Sequence, residues 1–198
     1  MIQGAKIYQI SAIFDIDTKI KYEVPKYQRE YIWGKEQWEN LFNDLSDSDG
    51  GHFLGSIICI NNGVDALGMT PLEVIDGQQR LTTISLLFAS IYNKLRNDER
   101  NDDDFIADRS NLKHRLTQKR YENTPKLELG YQNNNFEDYN AILAKIGLYD
   151  SSNEPSRLGN KRIYKAYQYF NENLRDLDYH QVTETLDKIY SYPLQIRG

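Results

Sequence analysis

The sequence predicts an α+β fold, with a front segment of short strands and helices followed by a mainly helical region. Two short apolar runs with β-branched content, HFLGSIICI and PLEVI, flank a turn at NNG and read as strands. From Leu81, the residues Ile84, Phe88, Ile91, Tyr92 and Leu95 recur on one helical stripe. Beyond residue 98 the apolar pattern is helical in its two clearest segments.

Taken in order, QISAIFDID places Ile10, Ile13 and Phe14 at helical spacing and predicts a short helix. KIKYEVP alternates Ile20, Tyr22 and Val24 and stops at Pro25, as a strand does. KYQREYIW is a polar-aromatic connector. GKEQWENLFNDLSDSDGG carries Trp38, Leu41, Phe42 and Leu45 on one helical face and ends in glycines. After the two strands and the long helix, RNDERNDDDF is acidic and reads as a solvent-facing loop. KLEL is a candidate short strand. NFEDYNAILAKIGL aligns Phe136, Tyr139, Ile142, Leu143 and Ile146, and KRIYKAYQYFNENL aligns Ile163, Tyr167, Phe170 and Leu174. Between them, LYDSSNEPSRLGN is a linker by composition. These readings divide the chain into residues 1–98 and 99–198, and its end at LQIRG fits a piece of a longer protein.

Composition narrows the function classes. The 198 residues are 39% hydrophobic and 27% charged, in the range of a folded globular chain. A formal net charge of −5 argues against a generally basic nucleic-acid surface. One local basic cluster, Lys113, Arg115, Lys119 and Arg120, reads as a solvated helix face or, on the alternative, a DNA contact. Cys59 is the single cysteine, so an internal disulfide and a Cys-based zinc site are excluded, and its apolar setting predicts a buried structural thiol. His52, His114 and His180 lack metal-ligand spacing. No apolar stretch reaches membrane-spanning length and no signal peptide opens the chain, which predicts a cytoplasmic protein.

The residues that ask for a chemical explanation are Asp76-Gly77-Gln78-Gln79-Arg80, at the junction between the second strand and the long helix. A turn needs only the Asp-Gly pair. At a helix N-terminus the first N–H groups lack partners and the macrodipole favours an anion. Gly77 lets a ligand approach the backbone, and Arg80 supplies a permanent planar cation suited to phosphate. Gln78 and Gln79 can orient a phosphate oxygen or a water, Thr82 and Thr83 add hydroxyls, and Asp76 can hold magnesium or position water. The competing reading is structural: Asp76 caps the helix and Gly77 relieves the turn. The lysine, serine/threonine and glycine spacing of a Walker A loop are absent.

Two further pieces bear on the same site. VPKYQREYIW presents Tyr27, Gln28, Arg29, Tyr31 and Trp33 just after a strand, where Arg29 suits phosphate and the aromatics suit a base, although Trp33 reads better as packing. HFLGSI sets Gly55 and Ser56 in an apolar strand, where a glycine marks close approach of backbone or ligand, and His52 beside it reads as a surface or capping group.

In this order and spacing, VPKYQREYIW, HFLGSIICI and VIDGQQRLTT resemble the N-terminal domain of the GmrSD-type restriction endonucleases, with its DGQQR motif and its similarity to the ParB and sulfiredoxin nucleotide-binding fold. The resemblance is strongest over residues 7–96, and YENTPKLELGYQNNNFEDYNAIL and NKRIYKAYQYFNENL look like the helical region that follows. It implies a ParB-like nucleotide-binding domain with a small mixed sheet over residues 1–98. It also implies an NTPase-like module of a modification-dependent DNA restriction system, served by magnesium and a nucleoside triphosphate. Carried over, the motif assigns Asp76, Gln78, Gln79 and Arg80 to catalysis, with Asp76 as the possible magnesium ligand. Tyr27, Gln28, Arg29, Gly55, Ser56, Gly77, Arg80, Thr82 and Thr83 then fall to nucleotide binding. Family members often continue into a His-Asn-His nuclease domain. These residues hold no such constellation, so DNA would be reached only through a nuclease domain or partner subunit. A nucleotide or modified-DNA sensor without turnover and a DNA-binding scaffold are the alternatives.

Overall fold

The computed structural model describes residues 4–46, 54–66, 68–119, 124–130, 134–150 and 161–197. In chain order the elements are β1 (Ala5–Gln9), α1 (Ile10–Ile13), β2 (Ile20–Glu23), α2 (Lys35–Ser46), β3 (Ser56–Asn61), β4 (Thr70–Asp76) and α3 (Gln78–Arg96). They continue as α4 (Asp103–Leu116), β5 (Leu127–Glu128), α5 (Asn135–Lys145), α6 (Lys161–Leu174), α7 (Tyr179–Ser191) and β6 (Pro193–Arg197). The expected α+β class holds.

The six strands form one mixed sheet in the order β1-β6-β3-β4-β2-β5. β6 runs antiparallel to β1 and parallel to β3, β3 is antiparallel to β4, and β4, β2 and β5 run parallel. Alternation along β3 explains which face is covered: Ile57 and Cys59 are buried, whereas Ile60 on the other face is 48% exposed. Burial pushes the Cys59 thiol up to about 12, so it is a packing group rather than a nucleophile. Residue 98 falls between α3 and α4, and the later segment contributes β5 and β6 to the same sheet.

The sequence pattern of α3 shows one stripe, but the helix is buried on every side from Leu81 to Tyr92. Small and hydroxyl residues fill the positions between the large apolar ones, and their polar atoms find partners. Ser85 Oγ meets the Tyr139 hydroxyl at 2.5 Å, and Ser90 Oγ donates to the carbonyls of Leu86 at 3.0 Å and Tyr167 at 3.2 Å. A buried hydroxyl without such a partner would cost about 1–3 kcal/mol. A central helix therefore runs under the sheet, with its N-terminus at the end of β4.

Two local expectations change. The acidic run 96–105 is not all loop, because Asp102 accepts from the Phe105 N–H at 3.0 Å and caps α4, with Asp103 and Asp104 in its first turn. The basic cluster is a solvated face only in part, since Lys119 is exposed while Arg115 is held in a socket. Arg115 lies 4.1 Å from the Tyr190 ring centroid and donates to the carbonyls of Ser11 and Phe14, while Lys119 pairs with Asp17 at 2.9 Å. Carbonyls at the end of α1 attract a cation, and an aromatic face completes its socket. Arg120, His52 and most of the linker lie outside the described residues.

Candidate functional site

The register of β3 against β4 steps by one residue between Cys59↔Val74 and Ile58↔Asp76, leaving Ile75 as the extra residue of a bulge. A bulged residue drops out of the ladder, and here the Ile75 carbonyl accepts from Gln28 Nε2 at 2.8 Å. The bulge ends the strand, and Gly77 then turns the chain into α3 with φ +87°. A side chain at Gly77 would be strained by that φ, and its Cβ would meet the Ser56 carbonyl oxygen at 2.8 Å and Ile57 Cα at 3.0 Å. Glycine is required here by β3, whatever binds at the site.

Asp76 does not cap the helix. Its carboxylate is exposed and makes no hydrogen bond among the described residues, and the first turn of α3 contains no acidic side chain. The N–H groups of Gln78, Gln79 and Arg80 likewise have no acceptor among the described residues. Three donors and the positive end of a long helix dipole thus converge beside one carboxylate. For magnesium, which takes one or two protein carboxylates and completes its shell with water and phosphate oxygens, Asp76 is a fitting ligand. No group of three His, Cys, Asp or Glu among the described residues is arranged to hold a metal by itself.

The two glutamines differ in their surroundings. Gln79 is buried, and its Oε1 accepts from the N–H groups of Ile32 at 2.8 Å and Trp33 at 3.3 Å, while Nε2 donates to the Glu30 carbonyl at 3.0 Å. It fastens the connector after β2 to the head of α3. Thr83 extends this fastening: its hydroxyl donates to the Gln79 carbonyl at 2.7 Å and meets the Tyr31 hydroxyl at 2.8 Å, and Trp38 Nε1 donates to the same Tyr31 oxygen. Burial holds the Tyr31 phenol well above its ordinary range, so it stays protonated. Trp33 packs against the core, as its sequence setting suggests, and Thr82 is buried. Gln78 is equally buried, but its side chain makes one hydrogen bond among the described residues, from its Nε2 to Gln28 Oε1 at 3.1 Å.

The cations sit around this point. Arg80 lies across Gly55, where an added Cβ would meet its guanidinium at 2.7–3.0 Å, and Nη1 donates to the Ser56 carbonyl at 3.2 Å. Gly55, at φ +93°, is the close-approach glycine that the strand pattern suggests, and the group approaching is an arginine. Burial pulls the Arg80 guanidinium below its ordinary range, and the Asp76 carboxylate opposes that shift. Arg29 is exposed and has no partner among the described residues. Tyr27 is 69% exposed and donates to Glu73 Oε1 at 2.9 Å, on the β4 side of the connector.

Two residues absent from the sequence reading join the set. β6 lies beside β3, with Gln195 opposite Ser56 and Arg197 opposite Ile58. Gln195 Oε1 accepts from Ser56 Oγ at 3.0 Å and from Arg197 Nε at 2.8 Å. No local motif marks them. The alternation of Leu194 and Ile196 with Gln195 and Arg197 is the one signal that a strand was present.

No helix among the described residues is long and apolar enough to cross a membrane. No curated protein matches the chain in sequence. The model of the GmrSD restriction endonuclease N-terminal domain matches residues 10–195, which takes in α1 through most of β6 and every site residue above except Arg197. That match covers nearly the whole chain. The chain belongs to the GmrSD restriction endonuclease N-terminal domain family.

Proposed function

We propose that this chain is the nucleotide-binding, NTP-hydrolysing regulatory module of a modification-dependent DNA restriction system, acting in the cytoplasm in phage defence. The observation that carries the reading is the uncapped head of α3, where the N–H groups of Gln78, Gln79 and Arg80 stand beside Arg80 and an exposed Asp76. Phosphates placed there accept from those N–H groups, with Arg80 and Arg29 offsetting their charge. Asp76 would hold the magnesium that accompanies the triphosphate, and the ion would supply charge neutralisation there. Gln78, steadied by Gln28, is the amide that orients the attacking water, whereas Gln79 and Thr83 keep the connector and helix in register. Tyr27 and the neighbouring connector border the base. Binding or hydrolysis would bias a conformational change read by a nuclease domain or subunit acting on DNA.

Release of inorganic phosphate by the purified chain with each nucleoside triphosphate and magnesium tests this reading. Asp76→Asn and Gln78→Ala are expected to lose turnover by at least about tenfold, in line with the loss of one positioning or electrostatic group. Turnover unaffected by both substitutions would refute the assignment. A second reading, nucleotide sensing without turnover, draws support from the commitment of Gln79 and Thr83 to backbone and connector contacts. It predicts saturable binding with no phosphate released.

A further inference from the structure

β6 brings an arginine to the site from a part of the chain more than a hundred positions after the Asp-Gly-Gln-Gln-Arg segment. Its register is set on both sides, antiparallel to β1 and parallel to β3, so its placement does not rest on a single contact. Across the sheet, Arg197 is opposite Ile58 and Ile58 is opposite Asp76, so the arginine and the aspartate lie in one row with a single residue between them. Side chains two apart on a strand share a face, and residues paired across strands do too. The bonds agree: Gln195 Oε1 receives both Ser56 Oγ at 3.0 Å and Arg197 Nε at 2.8 Å. Ser56 in turn gives its carbonyl to Arg80 Nη1 at 3.2 Å. Arg80 and Arg197 are therefore both tied to Ser56, the first directly through its backbone carbonyl and the second through Gln195 and the serine hydroxyl.

The chemistry of these ties is specific. Gln195 uses its oxygen to hold the Nε edge of Arg197, and the two Nη groups have no partner among the described residues. No carboxylate neutralises either arginine by an ion pair among the described residues. A guanidinium fixed through Nε with both Nη groups open presents a fork to two oxygens of one phosphate. A glutamate at position 195 would hold the same edge and cancel the charge. A glutamine holds it and leaves the charge in place.

We propose that Arg197, positioned by Gln195, is a further phosphate-contacting cation of the site at the head of α3, beside Arg80 and Arg29, acting on the terminal phosphates of a nucleoside triphosphate. The proposal rests on the nucleotide-binding reading above and adds a residue and a substrate preference to it: affinity should rise with phosphate number because two separated arginines engage successive phosphates. The test is calorimetric titration of the chain with the mono-, di- and triphosphate of one nucleoside, in wild type and in Arg197→Gln, Arg197→Lys, Gln195→Ala and Gln195→Glu. Thermal unfolding of each variant shows that it is folded.

Arg197→Gln is expected to weaken triphosphate binding roughly tenfold or more while changing monophosphate binding less than about twofold. Arg197→Lys should recover part of the loss, because the charge returns without the fork. Gln195→Glu should resemble Arg197→Gln, and Gln195→Ala should lie between it and wild type. Triphosphate binding that is weakened by Arg80→Ala but equal in wild type and all four variants would overturn the role of Arg197 and leave the nucleotide reading intact. Absence of binding by the folded wild-type chain would overturn both.

Discussion

Gln79 is the residue at which a catalytic and a scaffolding assignment make opposite predictions. Replacing it with alanine removes two well-formed hydrogen bonds, Ile32 N–H to Oε1 at 2.8 Å and Nε2 to the Glu30 carbonyl at 3.0 Å, and a longer one from Trp33. Each good bond contributes about 1 kcal/mol net, and buried methylenes are lost with them. The connector is partly exposed, with Ile32 at 42%, so water replaces part of what is removed. The expected destabilisation is therefore about 2–4 kcal/mol rather than the full cost of stranded buried groups. Gln79→Glu keeps the two acceptor contacts, but it buries a carboxylate and sets an oxygen against the Glu30 carbonyl, so it should cost at least as much as the alanine, about 2 kcal/mol or more. Urea unfolding followed by far-ultraviolet circular dichroism measures both, with the denaturant slope checked for constancy. If Gln79→Ala unfolds within about 0.5 kcal/mol of wild type, the glutamine does not fasten the connector and the argument from its contacts is wrong.

Other perturbations have equally definite signs. Gly77→Ala places a Cβ at 2.8 Å from the Ser56 oxygen in a backbone at φ +87° and should cost about 2–4 kcal/mol, read from the same urea curves. Lys126 is 1% exposed, donates to the Asp15 carbonyl, and has its ammonium pulled from 10.5 down to about 8 by burial, with Arg115 assisting and Asp15 and Asp17 opposing. Because the unfolded chain holds that proton more tightly, its burial penalty is fully present below pH 8 and is relieved as pH rises toward 10.5. Wild type should therefore gain about 2 kcal/mol relative to Lys126→Met between about pH 7 and 9.5, and a flat difference would contradict the assignment.

What was legible in the sequence was what local pattern determines. The short apolar, β-branched run HFLGSIICI and the stripe from Leu81 are signals within one element, and β3 and α3 followed from them. The same holds for the Asp76–Arg80 junction, because a strand end, a glycine and a helix start are consecutive. β6 was not legible, since five residues gain their meaning from pairing with β1 and β3, both more than a hundred residues earlier. Nor was α7 read, although Asp178 and Gln181 form a capping box before the apolar positions Val182, Leu186 and Ile189, and that spacing was available. The different surroundings of Gln78 and Gln79 could not be read either. Adjacent residues of one type point about 100° apart on a helix, and only the path of the connector decides which one it meets. Arg115 illustrates the same limit: its socket is built by α1 and α7.

The central claim is that the head of α3 is a phosphate site. Calorimetric titration of the chain with ATP, GTP, CTP and UTP in the presence of magnesium, beside Arg80→Ala, tests it most directly. The account predicts saturable binding of at least one nucleotide, weakened about tenfold or more in a variant that remains folded. A folded wild-type chain that binds none of the four, or binds them equally well without Arg80, would contradict it.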